Sequence, residues 1–180
     1  MLKSTLDSKD VIIDGLGRIP ALLQRSLEGL TEDQLSFRPS EQCNSIAWLA
    51  WHLTRVQDHH LSDLAGRQQA WVADGWHEKF GKPAEPNDTG QGYTPEQVAA
   101  VRVSEPRLLL DYNRAVYDRS VAYVQGLSPA DLDRELNEPR WNPLPTVGVR
   151  LVSVLSDNVQ HLGQISYLRG LIENRRWFPA

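Results

Sequence analysis

The chain has one cysteine, Cys43, among its 180 residues. A single thiol excludes an intrachain disulfide and any all-thiolate metal site. Hydrophobic residues make up 41% of the sequence, but none run long enough to span a bilayer, so no membrane contact is expected. No basic block or arginine-rich stripe is present and the formal net charge is −4, which argues against nucleic acid as a partner. The amino-terminal "MLKSTLDSKDVIIDGLG" carries neither the apolar core nor the small-residue cleavage site of a secretory signal, and a cytoplasmic location is expected. No segment alternates strongly enough to read as a strand. Internal repeats and low-complexity tracts are also missing. The length suits one domain, residues 1–180, with a full-sized core.

What the sequence does have is helical periodicity. In "SKDVIIDGLGRIPALLQRSLE", residues 8–28, Val11, Ile12, Leu16, Ile19, Leu22, Leu23 and Leu27 recur at steps of mostly three and four. Pro20 should kink this helix, because it lacks the amide proton an interior position donates. A second helix is expected after Asn44 or Ser45, both good N-caps, and should run to Leu64 with Gly66 as the stop. "TPEQ", residues 94–97, reads as a capping box with proline at the first helical position. Pro106 should break or kink that third helix, and "RLLLDYNRAVYDRSVAYVQGL" carries it to about residue 125. A short helical turn is expected at "SPADLDREL" and a fourth long helix over 147–173. Between the second and third helices lies a long Gly- and Pro-rich loop, 66–93; loops of that length are usually functional or disordered. Residues 137–146, "NEPRWNPLPT", hold three prolines and must be extended. Four long helices with one long crossover predict an all-α four-helix bundle.

The fourth helix contains a conflict. At about 100° per residue, Asp157 lies about 40° from His161, and Gln164 about 60° away on the same side. Val154, Ile165, Leu168 and Ile172 share that sector. The opposite sector holds Val152, Ser156, Val159, Gly163, Ser166 and Gly170, small enough for a neighbouring helix to approach closely. The helix is therefore expected to be buried on more than one side, with its polar group inside the bundle. A charged carboxylate there costs several kcal/mol unless compensated. Either Asp157 and His161 satisfy each other across one turn, or both bind a divalent metal. Spacing alone favours the first. A third ligand would come from the second helix, where His52, His59 and His60 are all available and spacing does not choose among them. His60 reads as a core histidine and His59 as a solvated one.

Six tryptophans are many for this length. They serve either as anchors between surface and core or as walls of a ligand cleft. Cys43 precedes a helix with no paired histidine in sequence, so it is a poor nucleophile candidate.

"SIAWLAWHLTRVQDHHL" on the second helix, with "DNVQHLGQISYLRG" on the last, resembles the DinB/YfiT-like superfamily, closest to its mycothiol-dependent transferases. The resemblance covers nearly the whole chain. It implies an antiparallel bundle running up, down, down, up, and a metal, most often zinc, held by one histidine of the second helix and two ligands of the fourth. The "WHL" histidine maps to His52 and the last-helix pair to Asp157 and His161. Many relatives have histidine at the position of Asp157 and the isomerase branch has glutamate; aspartate is shorter. Gln164 falls beside the ligands as a supporting polar residue.

Two imidazoles and a carboxylate are a usual catalytic zinc set with a fourth position open. A thiol reaching such a site is deprotonated, and the thiolate is the nucleophile. The resemblance thus implies an S-transferase joining mycothiol, the cosubstrate, to small electrophiles. Arg55, one step around the helix from His52, is a candidate for contacting an anionic group of the cosubstrate; a surface arginine is the plainer alternative. Two other functions remain open: a metal-dependent hydrolase using water at the same site, and a non-catalytic stress-associated binding protein whose polar pair is structural. A homodimer is a further possibility implied by the relatives, and the carboxy-terminal "RRWFPA" is compatible with an interface.

Overall fold

A computed structural model describes residues 6–177. The first five residues of the amino-terminal stretch, and Phe178, Pro179 and Ala180 of the carboxy-terminal one, lie outside the described residues. Among the described residues the chain is helical, with a lone antiparallel bridge between Glu135 and Thr146.

Helix α1 (Ser8–Leu27) starts at a capping box between Asp7 and Asp10 and continues through Pro20. A short α2 (Glu32–Leu35) follows. Helix α3 (Ile46–Leu64) is capped by the Ser45 hydroxyl, which accepts from the amide of Trp48, and the chain leaves it through Gly66 at φ +60°. Two short helices, α4 (Ala70–Ala73) and α5 (Trp76–Lys79), lie within the long crossover. The "TPEQ" capping box opens α6 (Pro95–Ala99), and Pro106 begins a separate helix, α7 (Pro106–Gln125). Proline thus breaks the third helical segment rather than kinking it, since Pro106 suits a first turn where no amide proton is needed. Then come α8 (Pro129–Asp133) and α9 (Val147–Ile172).

The four long helices pack in a ring, α1 and α3 each lying against both α7 and α9. Cross-helix pairs give their directions. His60 meets Arg150 while Asn158 meets Gln57, so α3 and α9 are antiparallel. Asn113 meets Thr54 and Gln57 meets Ser120, so α3 and α7 are parallel. Ser26 meets Ser166, and a side chain at Gly15 would meet Leu155, so α1 and α9 are parallel. The bundle runs up, down, down, up. Its core is built from α1, α3, α7 and α9, with Trp51, Leu53, Tyr112 and Ile165 fully buried.

Two expectations change. The 66–93 segment is not an open loop. Trp71 is fully buried and Trp76 nearly so, and both join the main core. Their apolar area is enough to fold the crossover down on α3 and α7. The small-residue sector of α9 is also not covered as a whole. Ser166 packs on α1 through Ser26, but Val152 is 56% and Val159 54% exposed, and Gly163 faces open space. Only α1 and α3 of the long helices flank α9 in the four-membered ring, and of this sector α1 covers the part around Ser166.

Candidate metal site

The crossover returns over the amino-terminal half of α3, and this return builds the site. Gly90 (φ +86°) lets the backbone lie flat on two tryptophans; a Cβ there would sit 2.6 Å from Trp51 Cζ3 and 3.0 Å from Trp48 Nε1. The preceding residue, Thr89, is thereby held with its carbonyl oxygen 2.5 Å from Nδ1 of His52. A carbonyl only accepts. Nδ1 must carry the proton, so Nε2 of His52 keeps its lone pair.

On α9, Nδ1 of His161 donates to Oε1 of Gln164 at 2.8 Å, which directs Nε2 of His161 toward Asp157, 3.5 Å from Oδ1. The imidazoles of His52 and His161 meet edge to face with centres 4.8 Å apart. Trp48 covers one face of His52, stacked at 4.5 Å and 9°, and meets His161 edge-on. One donor atom from each of His52, Asp157 and His161 lies within 4.8 Å of the other two. These three form a group able to bind a metal ion.

The chemistry of the set fits a cation. Both histidines spend Nδ1 on an oxygen acceptor, the usual means of fixing a ligand's tautomer and ring orientation. Oδ2 of Asp157 is buried with no hydrogen-bond partner, an arrangement costly for a carboxylate unless a positive charge completes it. The cluster lies at the seam of α3 and α9, with Asp157 and His161 half-buried, rather than deep in the bundle as the helix pattern suggested. It opens on a cavity of about 430 Å³ lined also by His59, His60, Asn87 and Arg140.

Arg55 has another role than contact with a ligand. Its side chain is fully buried, which also overturns the surface alternative. It donates to Gln69 Oε1, the Tyr112 hydroxyl and the carbonyls of Pro86 and Asp88, and lies 3.5 Å from Asp58. These donors tie the crossover (Gln69, Pro86 and Asp88) to α3 and, through Tyr112, to α7. Asp58 reinforces the anchor by accepting from the amides of Ala70 and Trp71.

His59 and His60 depart from the solvated and core roles that the helix pattern implies. His60 and His59 both line the cavity, His60 bonded to Arg150 and His59 to Gln69. Thr89 was not foreseen, and no sequence signal could reveal it, because it acts through its backbone. Arg140 and Trp141 carry a weak signal, a cation and an indole in a proline-rich stretch; that stretch is not extended as expected but doubles back through a turn at 139–140, so that the amide of Leu136 donates to the carbonyl of Pro145. The tryptophans divide: Trp51 and Trp71 anchor, Trp48 walls the cluster, and Trp141 lines a second cavity of about 450 Å³.

Protonation differs among these rings. Burial lowers the pKa of His52, against the Thr89 carbonyl and the Asp157 charge, which raise it. Burial acts the same way on His161, but hydrogen bonds to Asp157 and Gln164 and the Asp157 charge outweigh it, and its pKa is raised above 6.5. His60 is pushed down to about 4 by burial and by Arg150. The metal-free site therefore holds its proton on His161 around pH 6.5. A metal must displace that proton. Below the raised pKa, apparent metal affinity should fall about tenfold per pH unit, with about one proton released per ion bound. Calorimetric titration in buffers of different ionisation enthalpy measures both; affinity independent of pH from 7 to 5.5 would remove His161 from the ligand set.

The sequence profile of the DinB superfamily matches residues 16–165. The chain belongs to the DinB superfamily. The crystal structure of a conserved protein from Enterococcus faecalis is similar to it, with a TM-score of 0.87 and 30% identity over 95% of this chain and 100% of that one. No curated protein matches the chain. In this DinB protein no described helix is long and apolar enough to cross a membrane.

Proposed function

We propose that the protein is a metal-dependent thiol S-transferase, joining mycothiol or a related low-molecular-weight thiol to small electrophiles in the cytoplasm, where such thiols stay reduced. The observation that carries this reading is the His52, Asp157 and His161 group itself: two ring nitrogens left free by Thr89 and Gln164, and a carboxylate oxygen without a partner, beside an open cavity. A bound divalent ion, zinc by the preference of a two-histidine, one-carboxylate set, would supply the positive charge that keeps a thiol ionised at neutral pH.

The chain's own residues hold the geometry. Thr89 and Gln164 keep the Nδ1 protons pointed away from the centre, Trp48 covers one face of His52, and the cavity of about 430 Å³ is where the reactants would meet. In the transfer the thiol loses its proton to solvent, a sulfur lone pair forms the carbon–sulfur bond, and the leaving group departs with the electrons of the bond that breaks. Cys43 takes no part; its thiol pairs with the Ser40 hydroxyl outside the site.

Zinc-loaded protein incubated with mycothiol and monobromobimane should form the conjugate well above the rate of thiol alone, with bacillithiol and glutathione run beside it to identify the thiol. No acceleration with any of the three overturns the reading. Cleavage of ester or amide probes without a thiol would instead favour hydrolysis at the same residues.

A further inference from the structure

His59 and His60 line the cavity beside the cluster, and their tautomers are set by their neighbours. Nη1 of Arg150 lies 2.8 Å from Nδ1 of His60. A guanidinium can only donate, so Nδ1 accepts and the ring proton sits on Nε2. For His59 the chain of contacts is one link longer. Arg55 Nη1 donates to Oε1 of Gln69 at 2.8 Å, which fixes the oxygen end of that amide. Nε2 of Gln69 then donates to Nδ1 of His59 at 3.1 Å, and His59 also keeps its proton on Nε2. The remaining polar group of each imidazole is an N–H donor.

Arg140 lines the same cavity and the adjoining one. Its guanidinium packs 5.3 Å from the centre of the Trp141 ring and has no hydrogen bond or ion pair among the described residues. Asp157 is the one acid lining either cavity, and it belongs to the metal group. Glu138, the other acid nearby, is committed to Arg150. Three residues that line this space thus each keep a donor with no acceptor among the described residues.

We propose that His59, His60 and Arg140 recognise a carboxylate on the small molecule that reacts at the cluster, which makes carboxylate-bearing thiols or electrophiles the substrate class. This rests on the transferase reading only for what happens at the other end of that molecule. Arg140 supplies the charge, and the two imidazole N–H groups supply directed donors to the carboxylate oxygens. The Trp141, Pro143 and Leu144 side of the second cavity offers an apolar bed for the body between the two ends.

The test is calorimetric binding to zinc-loaded protein. In the first arm, ω-mercaptoalkanoates of three to six carbons are compared with their amides. In the second, thiol-free alkanoates and their amides are compared in the presence of 2-mercaptoethanol. The acid should bind about tenfold or more tightly than its amide at the best chain length, and Arg140→Gln, which removes the charge, should cut that preference several-fold. Arg140 is exposed and has no hydrogen bond or ion pair among the described residues, so this variant should fold normally. A preference confined to the first arm assigns the carboxylate to the thiol; one in the second assigns it to the other reactant. Equal binding of acid and amide in both arms, or a preference undiminished in Arg140→Gln, overturns the proposal. Mercaptoalkanoates that bind no better than plain alkanoates would count against the transferase reading and leave the carboxylate site standing.

Discussion

Replacing His52 with alanine should strip the protein of its metal, weakening affinity by more than about 100-fold relative to the unaltered chain. The two remaining donors, Asp157 and His161, lie one turn apart on α9 and can close only one side of the ion. His52 supplies the third direction from α3, and its Nε2 is free because Thr89 holds Nδ1. Emission spectroscopy of protein purified without a histidine tag measures the loss directly. His59→Ala is the matched control: that ring lines the cavity but is outside the three-residue group, so its removal should leave metal content intact. Full metal content in His52→Ala would dismiss the site and the transferase reading with it. It would also revive the alternative in which Asp157 and His161 merely satisfy each other.

The largest effect on stability should come from a residue that touches no ligand. Arg55→Met should destabilise the fold by about 3–5 kcal/mol, the range for removing one partner of a buried ion pair. Asp58 would lose its cation in a buried position, the carbonyl of Asp88 would lose its donor, and that of Pro86 would keep only Gln69 Nε2. Urea denaturation followed by circular dichroism measures this. The same variant should also weaken metal binding, because Asp88 is joined directly to Thr89, whose carbonyl orients His52. Unfolding within about 1 kcal/mol of the parent would show that the crossover stands on its tryptophans alone.

How far the sequence could be read depended on whether a feature is local. Helix ends were legible because caps and stops are short-range: Ser45 opens α3, Gly66 lies past its end, and Pro106 starts α7. The up-down-down-up order and the trio of metal candidates came from resemblance, not from periodicity. Spacing placed Asp157 and His161 together but left His52, His59 and His60 open, since position around a helix says nothing about what the opposite helix presents. Arg55 shows the limit most clearly. Its place one step from His52 suggested a ligand contact, yet a long side chain takes the acceptors within reach, and these were carbonyls of a crossover distant in sequence. The small-residue sector of α9 misleads for a related reason: such a pattern signals that a close neighbour would fit, not that one is there.

The contact between Thr89 and His52 has a consequence for how such a protein can diverge. The group that aims the imidazole is a peptide oxygen, which every amino acid possesses. Position 89 can therefore drift in chemical identity without retuning the cation's surroundings. Selection acts instead on the route of the main chain, through Gly90, which grants the close approach, and Arg55, which fastens the strap. Descendants of this architecture can exchange side chains over the mouth of the cavity, and with them their choice of reactant, while the aim of the imidazole is inherited unchanged.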